Sequence, residues 1–188
     1  MCLLPLKYYL AVLVENDDGG AALNLTETAN SLESPGHQRR RSPITLIVHV
    51  PCLQQNDAQR LAMTLQSLWR SDYADHHVQL TVHVRSQENV ELSHKYTSEC
   101  IEAAKSFMWP HGTYSTYHTQ ATGDDNGLAS WLSSWKPSPM FPRDLGVFID
   151  SGTVVSRVFF RWLLEAHSTY HQDVTLIGMN LQRSPVCQ

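Results

Sequence analysis

The stretch GVFIDSGTVVSRVFFRWLLEAH, residues 146–167, decides how the chain is read. Its first part is apolar and ends in Asp150. Its second part places Val158, Phe159, Trp162, Leu163 and Ala166 at helical spacing, with Tyr170 following on the same face. Segments of the first kind form buried strands, and segments of the second kind form amphipathic helices. In an open α/β sheet, ligands bind outside the carboxyl ends of such strands. Two readings of Asp150 therefore stand. It is a ligand for a hard divalent cation, which takes carboxylate oxygens. Or, with Ser151 and Ser156, it serves the free N–H groups at the start of the following helix.

The same alternation extends in both directions. ITLIVHV (44–50) reads as a strand stopped by Pro51. Ala58, Leu61, Ala62, Leu65, Leu68 and Trp69 then predict a helix over 57–70, with Asp57 near its N-cap. VQLTVHV (78–84) is the second strand. Leu92, Tyr96, Cys100, Ala103, Ala104 and Phe107 mark a helix ending before Pro110. YSTYHT (114–119) is a short strand, and Leu128, Trp131, Leu132 and Trp135 mark a third helix. Residues 144–150 and 174–181 supply the last two strands. Alternating strands and helices imply an α/β fold: a Rossmann-like, mostly parallel sheet with right-handed crossovers and helices on both faces. The ligand rule then selects the loops 51–56, 85–89, 119–127 and 150–156. No phosphate-binding glycine loop of the Walker or dinucleotide type follows any strand, which removes those enzyme classes.

Three regions are expected. Residues 1–14 form a short apolar segment. Broken by Pro5 and Lys7, it is too short for the roughly 20 apolar residues of a membrane span. It reads as a signal-like segment, an anchor remnant or a strand, so membrane association stays open. Residues 15–43, rich in Asn, Ser, Gly and charge, read as a linker, and the basic run Arg39, Arg40, Arg41 as its solvated part. Residues 44–188 form the folded domain.

A net charge of −4 gives no electrostatic case for nucleic acid. The apolar share of 42% is enough for a core. Cys2, Cys52, Cys100 and Cys187 form no C-x-x-C pair, so buried or terminal free thiols are expected. His167 and His171, four apart, and His76-His77, in the loop before the second strand, read as surface residues. His111 in WPHG reads as a turn residue. No G-x-S-x-G elbow supports a hydrolase. Trp131, Trp135 and Trp162 are expected in the core. Asn24-Leu25-Thr26 is a glycosylation sequon, which matters only in a secretory compartment.

The ordered segments PITLIVHVP, LAMTLQSLWRSDY, FMWPHG, DNGLASWLSSW, VFIDSGTVVSRVFFRWLLEAH and IGMNLQRS, spanning about residues 43–184, resemble glycosyltransferases of the GT-A fold, near glycosyltransferase family 2. The resemblance implies a nucleotide-diphospho-sugar donor, UDP- or GDP-linked, held with Mn²⁺ or Mg²⁺. It implies a secretory compartment, in keeping with the sequon, with the cytoplasm as the other option. It implies donor-site roles for Pro51, Glu88, Asn126 and Asp150, with Asp150 also the metal ligand. The family's acidic D-x-D motif falls on Asp150-Ser151-Gly152, so its last carboxylate is replaced by glycine. Arg85 stands where an Asp often binds the base, and it has no acceptor for that role. Family enzymes continue into an acceptor-binding half, whereas this chain stops at Gln188, so the domain reads as a partial one, weak or inactive as a catalyst by itself. The other reading is a non-catalytic structural or interaction module with a protein partner.

Overall fold

The computed structural model describes residues 8–11, 40–87, 91–121, 135–141, 144–170 and 178–180. Its elements run in chain order as β1 (Tyr8–Ala11), β2 (Arg40–Val50), α1 (Asp57–Trp69), β3 (His76–Gln87), α2 (Glu91–Lys105), β4 (Tyr114–Ala121), β5 (Leu145–Asp150), α3 (Phe159–Tyr170) and β6 (Gly178–Asn180). They form one sheet in the order β4-β3-β2-β5-β1-β6. The four strands β4, β3, β2 and β5 are all parallel, and β1 pairs antiparallel with β5 and β6. The chain is therefore an α/β, Rossmann-like fold.

The expected strands and helices fall within a few residues of the observed ones. β2 begins at Arg40, four residues before the expected start of the domain at Ile44. Pro43 marks the irregularity. It has no N–H to donate, and the β2–β3 register shifts between Arg41 and Thr45. Ser42 Oγ takes the Ile44 N–H at 2.9 Å. Arg40 and Arg41 are thus exposed strand residues rather than part of a linker. Arg41 pairs with Asp144, and its guanidinium lies 3.6 Å over the Phe141 ring. Of the three readings of the N-terminal segment, the strand is the one that places residues 8–11 in the sheet. The expected helix over 128–135 lies, apart from Trp135, outside the described residues, as does most of 174–181.

The core lies between one sheet face and the helices. Leu46, Val48 and Val50 of β2, Leu80, Val82 and Val84 of β3, and Val147 and Ile149 of β5 point that way. Leu61, Leu65 and Leu68 of α1, Cys100 and Ala104 of α2, and Phe160 and Leu163 of α3 meet them. Residues two apart on a strand share a face, so the intervening Ile47, His49, Thr81, His83, Phe148 and Asp150 belong to the opposite face. There Trp135 covers Gly146 so closely that a Cβ at Gly146 would lie 2.6 Å from the indole. Trp162, expected in the core, is 52% exposed on α3, whereas Trp109 is buried and donates from Nε1 to Val78 O at 2.9 Å.

Candidate functional site at the strand carboxyl ends

From β2 the chain steps outward to β3 and β4 and then returns to place β5 on the other side of β2. The strand order reverses between β2 and β5, and the carboxyl ends at such a reversal are the position where ligands bind in these sheets. Pro51 and Asp150 stand there. His49 and Asp150 are register partners across the two strands, and Ser151 N–H donates to His49 O at 2.9 Å. Glu88 and Asn126 lie outside the described residues.

Asp150 is not the cap of the following helix. Eight residues separate it from Phe159, and the turn that follows is closed by Thr153 N–H donating to Asp150 O at 3.1 Å. Nor is Asp57 the N-cap of α1: Asn56 holds that position without a side-chain bond. The buried Asp57 carboxylate instead turns back on the preceding loop and accepts the N–H groups of Leu53 (2.7 Å) and Gln54 (2.8 Å) through one oxygen. The other oxygen faces Arg60 Nη1 at 3.5 Å. This single side chain shapes the loop that leaves β2. Asp57→Ala leaves two loop donors without it and removes the partner of Arg60. The expected loss is about 1–3 kcal/mol, read as a lowered urea midpoint; an unchanged midpoint would show that the loop holds itself.

Gly152 is fixed against α1. Its N–H donates to Thr64 Oγ1 at 2.9 Å and lies 3.1 Å from Arg60 O, and its φ of +91° is left-handed. A Cβ there would lie 2.7 Å from Arg60 Nε and 3.1 Å from Nη2. A side chain at position 152 would therefore run into a guanidinium. The divalent cation that the resemblance implies does not fit this position: glycine supplies no side-chain oxygen, and the Arg60 guanidinium lies in the space a side chain would enter.

Sequence reasoning overlooked a row of polar side chains on the second sheet face. In register across four parallel strands stand Tyr117, His83, His49 and Asp150. The rings of His83 and Tyr117 stack at 5.1 Å. Burial, then the charges of Arg85 and His83, hold the His49 imidazole down to about 4. Burial alone does the same for His83. Both imidazoles are neutral at pH 7. The signal was present in the sequence: V-H-V occurs near the end of both apolar strands, at 48–50 and 82–84.

The remaining candidates have structural roles. His76 and His77 lie in β3, not in the loop before it. His76 Nδ1 sits 3.1 Å from Tyr73 O, and His77 Nε2 sits 3.3 Å from Thr113 Oγ1. His111 joins the aromatic cluster around Tyr73, with ring centroids 4.5 Å apart, and its Nε2 meets Trp69 O at 2.9 Å. His167 lies on α3, and His171 is outside the described residues. Cys52 and Cys100 are free and buried. The Cys100 side chain and burial push the Cys52 thiol up, as expected for an inert core thiol. Among the described residues no three His, Cys, Asp or Glu side chains converge as a metal site, and no helix is long and apolar enough to cross a membrane.

The fold defines an α/β domain with its strand-order reversal at β2 and β5. No protein-family model, curated protein or solved structure matches the chain.

Proposed function

We propose that the rim at the carboxyl ends of β2 and β5 binds a nucleotide-diphospho-sugar, UDP- or GDP-linked, on a scaffold of the GT-A glycosyltransferase kind, and that this chain alone is weak or inactive as a transferase. The observation that supports the reading is the reversal of strand order beside β2, with Pro51 and Asp150 at the two strand ends. A sheet of this topology presents its ligand there. The segment resemblance supplies the ligand class, and Asp150 supplies one acidic group. No step is assigned to a metal, because position 152 offers no side-chain ligand to it.

Titration calorimetry with UDP- and GDP-sugars, run with Mn²⁺ and again with EDTA, tests the proposal. Saturable heat is expected with at least one of them. No heat and no thermal shift with any of them would remove it. A second reading, a non-catalytic interaction module of the same ancestry, is favoured by the glycine at 152 and by Arg85 in place of an acid. It expects Asp150→Ala to leave the protein's cellular role intact.

A further inference from the structure

We infer that the positive charge for a diphosphate at this rim is the Arg60 guanidinium, so that the site binds its ligand without a divalent cation. This rests on the nucleotide-diphosphate reading above and adds the identity of the charge.

Four observations carry it. The first is position. Arg60 belongs to the first turn of α1, directly after the loop that leaves β2, and it covers the turn that leaves β5. Its side chain thus lies between Asp57, after the β2 loop, and Gly152, in the turn after β5. The second is the glycine. The turn at 151–152 directs the missing side chain of residue 152 at Arg60, with Nε, Nη2 and Cζ at 2.7, 3.1 and 3.3 Å from an ideal Cβ. A side chain at 152 would have to displace the Arg60 side chain. The backbone that creates this geometry is tied to α1 by the bond from Gly152 N–H to Thr64 Oγ1.

The third is availability. The Arg60 side chain is 45% exposed, and its ion pair with Asp57 is long, 3.5 Å, through one nitrogen only. A guanidinium has five N–H donors in a planar fork suited to phosphate oxygens. The Asp57 oxygen that accepts from Leu53 and Gln54 is engaged by the loop. The fourth is the field. Arg60 stands at the N-terminal end of a 13-residue helix, where the helix dipole also favours an anion. A divalent cation beside this guanidinium would meet repulsion and find no side-chain oxygen at residue 152. A phosphate finds a charge-assisted donor.

The experiment measures binding of UDP, GDP and inorganic pyrophosphate by calorimetry, in EDTA and in Mn²⁺, to the wild-type chain, Arg60→Gln and Arg60→Lys. Thermal unfolding confirms that each variant is folded at the assay temperature. Arg60→Gln keeps the length and helix propensity of the side chain while removing its charge. The expected result is binding in EDTA equal to that in Mn²⁺. Arg60→Gln is expected to lose roughly tenfold or more in affinity, with Arg60→Lys falling between. Pyrophosphate binding as sensitive to Arg60→Gln as UDP binding places the contact on the diphosphate. Binding that requires Mn²⁺, or that Arg60→Gln leaves unchanged, overturns the inference and leaves the nucleotide reading intact. The absence of binding in both conditions overturns both.

Discussion

Acidification from pH 7 to pH 4 is expected to destabilise the fold steeply, through His49 and His83. Each imidazole is held at about 4 in the folded chain, against about 6.5 when unfolded. Between those values the unfolded chain binds more protons than the folded one, so stability falls as pH falls through that window. Above about 6.5 the two imidazoles contribute no slope. A difference of about 2.5 pH units corresponds to about 3 kcal/mol per imidazole as a ceiling, against a typical total of about 5–15 kcal/mol. The groups that face the pair are Arg85, which adds to the cost of a second positive charge, Asp150 in register with His49, and Tyr117 stacked on His83. Urea midpoints measured at half-unit steps from pH 7.5 to 4 test this. His83→Gln should flatten the profile, whereas a wild-type profile already flat across the window would refute it.

The second large effect is expected at Gly112. A Cβ there would lie 2.2 Å from Val78 O and 2.6 Å from Val78 N, both backbone atoms, and 2.8 Å from His77 Cδ2. No rotamer relieves contact with backbone. Relief requires the 109–113 segment to leave the start of β3. That would strain the Val78 N–H bond to His111 O, the Leu80 N–H bond to Thr113 O and the Trp109 Nε1–H bond to Val78 O. Gly112→Ala should cost on the order of 3 kcal/mol, a fall in Tm of roughly 6–12 °C for a chain of this size. A Tm within about 2 °C of wild type would show that the segment is not docked on β3 as described.

The two effects act at opposite ends of β3. Gly112 secures its entry beside Val78, and His83 lies toward its exit. A variant weakened at Gly112 should also unfold at a higher pH, because less stability remains to be lost on acidification.

Several site features were legible from residues alone. The strand ending at Asp150, the strand ending before Pro51 and the helices after each are local patterns of hydrophobic spacing, and they placed both residues at strand carboxyl ends. The histidines were harder to read. A His inside an apolar run looks like an isolated polar residue until the register sets His49 beside His83 and Asp150. Asp57 lies beside the N-cap, as its position at the helix start suggests, yet its carboxylate serves the loop before the helix, a contact no local pattern reveals. Trp162 falls on the apolar stripe of α3 by spacing but is exposed, as is Val158 one turn before it.

By itself the sequence determined the alternation of strand and helix, the approximate limits of each element and hence an α/β sheet of parallel central strands. Those properties follow from the period of apolar residues over ten or so positions. Only the tertiary structure decided the strand order, the antiparallel entry of Tyr8–Ala11 beside β5, the histidine row and the contact of Arg60 with the space above Gly152. Each of these joins residues tens of positions apart, and no local periodicity encodes which distant strands become neighbours or which face a turn presents to a helix.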